Sequence, residues 1–391
     1  MRIRKFTTSI QLLLVLALLL LGLLLFQRSL EPPQGARPQP KTHVLILSSW
    51  RSGSTFVGQL FSQNPEVFYL MEPAKHVWKR MPWGNPELLQ GSLRDLLRSI
   101  FLCDMRPLCA YIENPSKVNH LFMWPMSRAL CSPPACKAFS RSDIVSFEQC
   151  EAQCGHTPFQ KISEACATYS HVVVKTVRIF QLEALYPLLT DPSLHLHVIH
   201  LVRDPRAVYA SRKRVSLLPD DLLISNAANV TPDTQGVMRK ICHSQTEMYL
   251  TALQHPPPAL RGRYLLTRYE DLVKNPLGQL AEWYRFTGLT FSSRLTAWVY
   301  NITHWPTGSG NTGPLGIQKN ADMVSQAWRK HLSFQEVQEL QAICKQAMEA
   351  FSYKPVRTEE DQRDLSLNLV LPQRKMRVPD IWRSSGCRRP I

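Results

Sequence analysis

Acidic residues are scarce in this chain: 30 Asp and Glu stand against 46 Lys and Arg, a formal charge of +16. No carboxylate cluster of the kind that holds magnesium is apparent. The stretch most like a phosphate loop, Ser49–Thr55, contains no lysine. A kinase-like phosphotransferase needs both features, so these two absences argue against it. Internal repeats are also lacking, which argues against a solenoid or propeller. Long apolar runs are absent but for one, at the N-terminus.

There Arg2, Arg4 and Lys5 precede Ile10–Phe26, in which Gln11 is the one polar residue. The run is near the short end of the ~17–25 residues that span a bilayer, and short spans suit the thinner membranes of the early secretory route. Positive charge ahead of it keeps the N-terminus in the cytosol and sends the rest to the lumen. A cleaved signal peptide is the rival, but Gln27-Arg28-Ser29-Leu30-Glu31 offers no clear small-x-small cleavage site. The expected organisation is a cytoplasmic tail (1–9), a transmembrane signal-anchor (10–26), a Pro- and Gly-rich stem (27–41) and a lumenal domain (42–391).

All ten cysteines lie beyond the anchor, where an oxidising lumen allows five bridges. Seven of them fall between Met81 and Ala167, among many prolines, and mark a disulfide-rich insertion at about 81–167. Cys131, Cys136, Cys150 and Cys154 could be imagined as a zinc site, but spacing and compartment both oppose it, and no metal is expected. Asn229 and Asn301 open glycosylation sequons. A lumenal domain excludes nucleic acid as the partner of the positive charge. What remains is an anionic glycan, a nucleotide sulfate or a membrane surface. Part of the charge serves the tail, where Arg374, Lys375, Arg377, Arg383, Arg388 and Arg389 crowd together.

From His43 onward short apolar strands alternate with helices, the mark of an α/β fold with a parallel sheet flanked by helices. Candidate strands are 43–48, 171–175, 197–202 and 264–267. Candidate helices are 55–63, 182–189, 205–213 and 276–287, and a Ser333/Glu336 capping box opens another that runs to about Phe351.

Two segments put anion-binding groups where a strand hands over to a helix. In the first, Ser49-Trp50-Arg51-Ser52-Gly53-Ser54-Thr55, Gly53 lets backbone approach an oxyanion, the hydroxyls donate and Arg51 adds a charged fork. A plain Ser/Gly turn is the alternative. In the second, Val202-Arg203-Asp204-Pro205-Arg206-Ala207-Val208-Tyr209-Ala210-Ser211, Asp204 is a good N-cap and Pro205 a good first helical residue. Arg203 stands at the strand's end and Ser211 about two turns into the helix, while Arg206 and Arg212 read as solvated or structural. Two sites suggest a donor with two separated anionic groups.

With these segments the chain resembles the Golgi carbohydrate sulfotransferases, of the N-acetylglucosamine 6-O type. Trp50–Ser54, Tyr69-Leu70-Met71-Glu72-Pro73, Ser170–Arg212, Arg268–Leu272, Asn301–His304 and Val324–Arg329 carry the match. It departs at Lys75, where an apolar or aromatic residue is expected, at Thr176, where Glu is expected, and over Leu217–Gln245. The resemblance implies a P-loop-like sulfotransferase fold and PAPS (3′-phosphoadenosine 5′-phosphosulfate) as co-substrate. The first segment would hold the 5′-phosphosulfate, and Arg203 and Ser211 the 3′-phosphate. It implies a type II Golgi membrane protein acting on glycans with terminal N-acetylglucosamine, in keratan-type or mucin-type and selectin-ligand chains. Galactose or N-acetylgalactosamine 6-O-sulfation and an inactive glycan-binding protein are the alternatives, and a homodimer is left open.

Sulfuryl transfer needs an oriented donor, stabilisation of the leaving phosphate and a base for the hydroxyl proton. The loop Arg51–Thr55, with Arg203 and Ser211, serves the first two. Glu72, set among apolar neighbours that would raise its pKa, is the candidate base; a salt bridge or helix cap is the alternative. Lys175 and Arg178 support the acceptor or pair with acids. Arg268–Asp271 is expected to be structural, and Lys319, Trp328 and Arg329 to close over the nucleotide.

Overall fold

The computed structural model describes Gly22 and residues 41–82, 84–226, 233–254, 256–303 and 321–373. Apart from Gly22, the expected anchor lies outside the described residues, as do residues 27–40, Asn229, Lys319 and Cys387. Among the described residues no helix is long and apolar enough to cross a membrane.

The unit from Lys41 onward is built on five strands: β1 (Thr42–Ser48), β2 (Val67–Met71), β3 (His171–Thr176), β4 (His195–Val202) and β5 (Tyr264–Arg268). All pair in parallel, in the order β2-β3-β1-β4-β5. Both faces of β1 are covered. Leu45 and Leu47 enter one apolar core and Val44 and Ile46 another, following the two-residue period of a strand. Each such side chain contributes roughly 1.5–3 kcal/mol on burial, so the run that reads as uniformly apolar is what makes β1 central.

The crossovers place the site. From β1 the chain passes to β2 and β3 on one side of it, and only then to β4 and β5 on the other. The loops after β1 and β4 therefore diverge at adjacent strand ends, and a crevice opens between them. Helix α1 (Ser54–Ser62) leaves the first loop, α2 (Lys75–Arg80) follows β2, α3 (Pro205–Arg212) leaves the second loop, and α4 (Leu218–Ser225) comes next.

Four expected strands form within about two residues of their expected limits. The edge strand β2 was not expected; its ladder with β3, Val67↔His171 to Met71↔Lys175, supplies what its five residues do not announce. The helix expected at 182–189 is a 3₁₀ turn, Leu182–Leu185, followed by Tyr186–Thr190, because Pro187 has no N–H to carry an α-ladder through. The capping box at Ser333 and Glu336 forms, but its helix breaks at Cys344, which is bonded to Cys242. In the insertion, Cys103 pairs with Cys166, Cys131 with Cys150 and Cys136 with Cys154. The four cysteines imaginable as a zinc site are thus two disulfides. Cys109 is free and exposed.

Candidate active site

The two anion-binding segments face each other across a cleft of about 610 Å³. Gly53 caps α1 with φ 86°, and among the described residues no side chain caps that helix, so its first N–H groups are suited to an anion. A Cβ on Gly53 would meet the Tyr269 ring at 2.3 Å, so both conformation and space demand glycine. Trp50, Arg51, Ser54 and Thr55 line the cleft with Gly53. Ser49 and Ser52 do not; their buried hydroxyls bond each other at 2.7 Å and brace the loop. From the second segment Arg203, Ala207, Ala210 and Ser211 line the cleft, at the three- to four-residue spacing of one helix face.

The segments are joined directly. Arg51 Nε donates to Ser211 Oγ at 3.0 Å, and Arg203 donates to the Arg51 carbonyl at 2.9 Å and to the Val324 carbonyl at 2.9 Å. Arg203 lies over the Tyr269 ring at 4.6 Å, with its Nε buried and without a partner among the described residues. Arg206 lies in the donor-binding segment but does not line the cleft, and of its two expected readings, solvated or structural, the second holds. It is fully buried, forks onto the Asp204 carboxylate, and lies over the Trp328 ring at 4.2 Å. Its role is structural. Val202, Asp204, Pro205, Val208 and Tyr209 likewise stand off the cleft; Asp204 caps α3 as its sequence position suggests.

Glu72 and Arg51 both have left-handed backbone, at φ 50° and 68°. Such conformations cost about 1–3 kcal/mol each outside glycine, and they persist where neighbouring structure enforces them. For Glu72 the enforcement is visible: its N–H bonds the Lys175 carbonyl at 2.9 Å, while its carboxylate pairs with Lys175 and Arg178. Arg178 reaches onward to Asp220 Oδ2 at 2.6 Å, and the same oxygen accepts from Trp50 Nε1 at 2.8 Å. One chain of contacts thus runs Lys175–Glu72–Arg178–Asp220–Trp50, from the end of β3 back to the first loop.

This overturns the expectation of a raised Glu72 pKa. Burial alone would raise it, but Lys175 and Arg178 prevail and hold it down at about 2. Glu72 is a carboxylate at every working pH. Burial pushes Lys175 downward against the pull of Glu72.

Arg268 forks onto Asp271 and donates to the Phe351 and Leu371 carbonyls, and Glu270 accepts from the Asp204 N–H and the Tyr353 hydroxyl. These are structural, as expected, although Tyr269 also lines the cleft. Trp328 lines it too, whereas Arg329 donates to the Asp364 and Leu367 carbonyls and does not. Asn301 is exposed on the helix Ser293–Thr303. His195 and His197 meet edge-to-face at 4.6 Å, and among the described residues no His, Cys, Asp or Glu group could hold a metal.

Sequence reasoning missed Asp220, Phe122, Arg214 and Leu217, all on the cleft wall. Asp220 had only the signal of an acidic first turn in α4. Phe122 reaches the cleft through the folding of the insertion.

The sulfotransferase domain family matches residues 41–352. Mouse carbohydrate sulfotransferase 5 is 45% identical over 380 residues, 95% of this chain and 96% of its own length. Human carbohydrate sulfotransferase 5 is 48% identical over 351 residues, 88% and 85% of the two chains. Among solved structures, the sulfotransferase domain of the olefin synthase of Synechococcus PCC 7002 is 20% identical, with a TM-score of 0.42 over 82% of this chain and 98% of that one. With a family match across the whole sheet and its cleft, and relatives of this identity along nearly its full length, the chain belongs to the sulfotransferase family and, within it, to the carbohydrate sulfotransferases.

Proposed function

We propose that the protein moves the sulfuryl group of PAPS to the 6-hydroxyl of N-acetylglucosamine on glycans, as a type II protein of the Golgi membrane. The observation that carries this reading is the cleft itself. One wall holds two arginines and a serine joined across the segments, suited to two separated anionic groups, and the other holds the ion-paired Glu72.

In this mechanism Arg51 and the α1 N–H groups take the phosphosulfate, and Arg203 with Ser211 takes the 3′-phosphate. The acceptor oxygen attacks sulfur as the bond from sulfur to the bridging phosphate oxygen breaks. Arg51 and Lys175 meet the charge growing on the phosphate and the transferring oxygens. Glu72 orients the acceptor hydroxyl and takes its proton late. A carboxylate held at about 2 is a weak base, and it strengthens as Lys175 turns toward the growing negative charge.

The test is labelled-sulfate transfer from PAPS by the full-length protein to defined glycans ending in N-acetylglucosamine, beside a 6-deoxy acceptor. Transfer to the first alone is expected; sulfation of the 6-deoxy sugar refutes the position. Protease treatment of sealed vesicles tests orientation. Residues after Lys41 should be protected, and their digestion without detergent overturns the topology.

A further inference from the structure

Lys75 sits in the first turn of α2 on the cleft wall, its N–H bonded to the Glu72 carbonyl at 3.0 Å. Its ammonium lies 3.9 Å above the Phe122 ring. Phe122 belongs to the insertion and is tied to α2 through its backbone, whose N–H donates to His76 Nε2 at 2.9 Å. Lys75 is half-buried, and burial pushes its pKa down.

Among the described residues no carboxylate lies within ion-pair distance of it. The two acids on the same wall are committed elsewhere, Glu72 to Lys175 and Arg178, and Asp220 to Arg178 and Trp50. A ring face compensates a half-desolvated ammonium only in part. The cations assigned to the donor, Arg51 and Arg203, belong to the loops after β1 and β4, whereas Lys75 follows β2 beside Glu72. Asp220 and Glu72 attract it only at longer range, so its charge stays available to an anion on the acceptor side.

We propose that Lys75, seated on Phe122, forms an acceptor subsite for an anionic substituent, a sulfate ester or a carboxylate, on a sugar adjoining the one that is sulfated. The subsite rests on the reading of the cleft as a glycan sulfotransferase site. It makes a partly charged glycan a better acceptor than its neutral counterpart and ties acceptor choice to a residue outside the donor machinery.

The experiment compares three oligosaccharides with the same terminal N-acetylglucosamine: neutral, bearing a sulfate ester on the adjoining sugar, and bearing a carboxylate sugar there. Binding to the full-length protein is measured by calorimetry in the presence of 3′-phosphoadenosine 5′-phosphate, and transfer is assayed separately. The anionic acceptors should bind at least about tenfold more tightly than the neutral one, which corresponds to ~1.4 kcal/mol. Which of the two gains more identifies the anion. The ratio should shrink as salt is raised, collapse toward one in Lys75→Met, which keeps the stem over Phe122, and persist in Lys75→Arg. Equal binding of neutral and anionic acceptors by wild type overturns the proposal, and so does an unchanged ratio in Lys75→Met. Loss of transfer with the binding preference intact faults the catalytic reading and leaves the subsite standing.

Discussion

Arg51 Nε donates to Ser211 Oγ at 3.0 Å across 160 residues of sequence, and Arg203 grips the carbonyl of the same Arg51. The loop after β1 is thus held by residues of the loop and helix after β4. The two segments can touch because β1 and β4 are neighbours in the sheet. The two anion sites are parts of one device.

Arg203→Ala should act mainly through the donor. A hydrogen bond to a charged group is worth about 1.5–3 kcal/mol, so the KM for PAPS should rise some tenfold to hundredfold with a smaller fall in kcat. Preference for PAPS over an analogue lacking the 3′-phosphate should shrink. Equal preference ratios in mutant and wild type would remove the 3′-phosphate from Arg203.

Glu72→Gln should lose ~10²–10⁴ in turnover, the usual worth of a general base, while still binding 3′-phosphoadenosine 5′-phosphate. It should also be less stable, because Lys175 and Arg178 stay buried with their shared counter-charge gone; removing one partner of a buried pair costs about 3–5 kcal/mol. The pH dependence has a definite sign. A folded pKa of about 2, below the ordinary 4.5, means that the pairing stabilises fully above pH 4.5 and is lost as pH falls toward 2. Near-normal turnover in a mutant that binds nucleotide would take Glu72 out of the mechanism.

Much of this was legible in the sequence, for local reasons. Apolar runs gave β1, β3, β4 and β5, and the Asp204-Pro205 pair gave the start of α3, because cap and first-turn preferences act within a few residues. What sequence could not show was ionic partnership. Glu72 reads as a carboxylate among Phe68, Tyr69, Leu70 and Met71, yet its pKa is set by Lys175 and Arg178 more than 100 residues away. Arg206 reads as one more helix-face cation; its burial on Trp328 appears only once the C-terminal helices fold back. Phe122 belongs to an insertion whose position is fixed by disulfides and by His76, not by any period.

Asp220→Asn should uncouple the two sides of the cleft. Its one carboxylate oxygen holds both Trp50 of the first loop and Arg178, the partner of Glu72. An amide oxygen can still accept from Trp50, but the charge opposite Arg178 is gone. The expected result is a several-fold higher KM for PAPS together with reduced kcat, and weaker quenching of Trp50 fluorescence on nucleotide binding. Asp220→Glu should restore part of both. A change confined to thermal stability, with KM and kcat untouched, would reduce Asp220 to a structural contact.

His200 should make the fold acid-sensitive. It is fully buried in β4, with Nε2 2.9 Å from Gln245 Oε1 and Nδ1 2.5 Å from the Tyr264 hydroxyl. The amide oxygen can only accept, so Nε2 carries the proton and Nδ1 accepts from the tyrosine. The neutral ring satisfies both bonds, whereas protonation would reverse the second and take from the Tyr264 hydroxyl hydrogen its acceptor. Burial depresses its pKa from 6.5 to about 4, with the Gln245 bond opposing. The sign follows: the unfolded chain binds the proton first, so stability is full above pH 6.5 and is lost as pH falls from 6.5 toward 4. One such group gives a slope of ~1.4 kcal/mol per pH unit. Urea unfolding of wild type and His200→Gln, disulfides intact, at about pH 7.5 and pH 5, reads this directly. The variant should be weaker at the higher pH yet lose about 2 kcal/mol less on acidification, the slope taken over the 1.5 units below the unfolded pKa. Equal losses in both proteins would show that His200 is not among the groups that sense the acid.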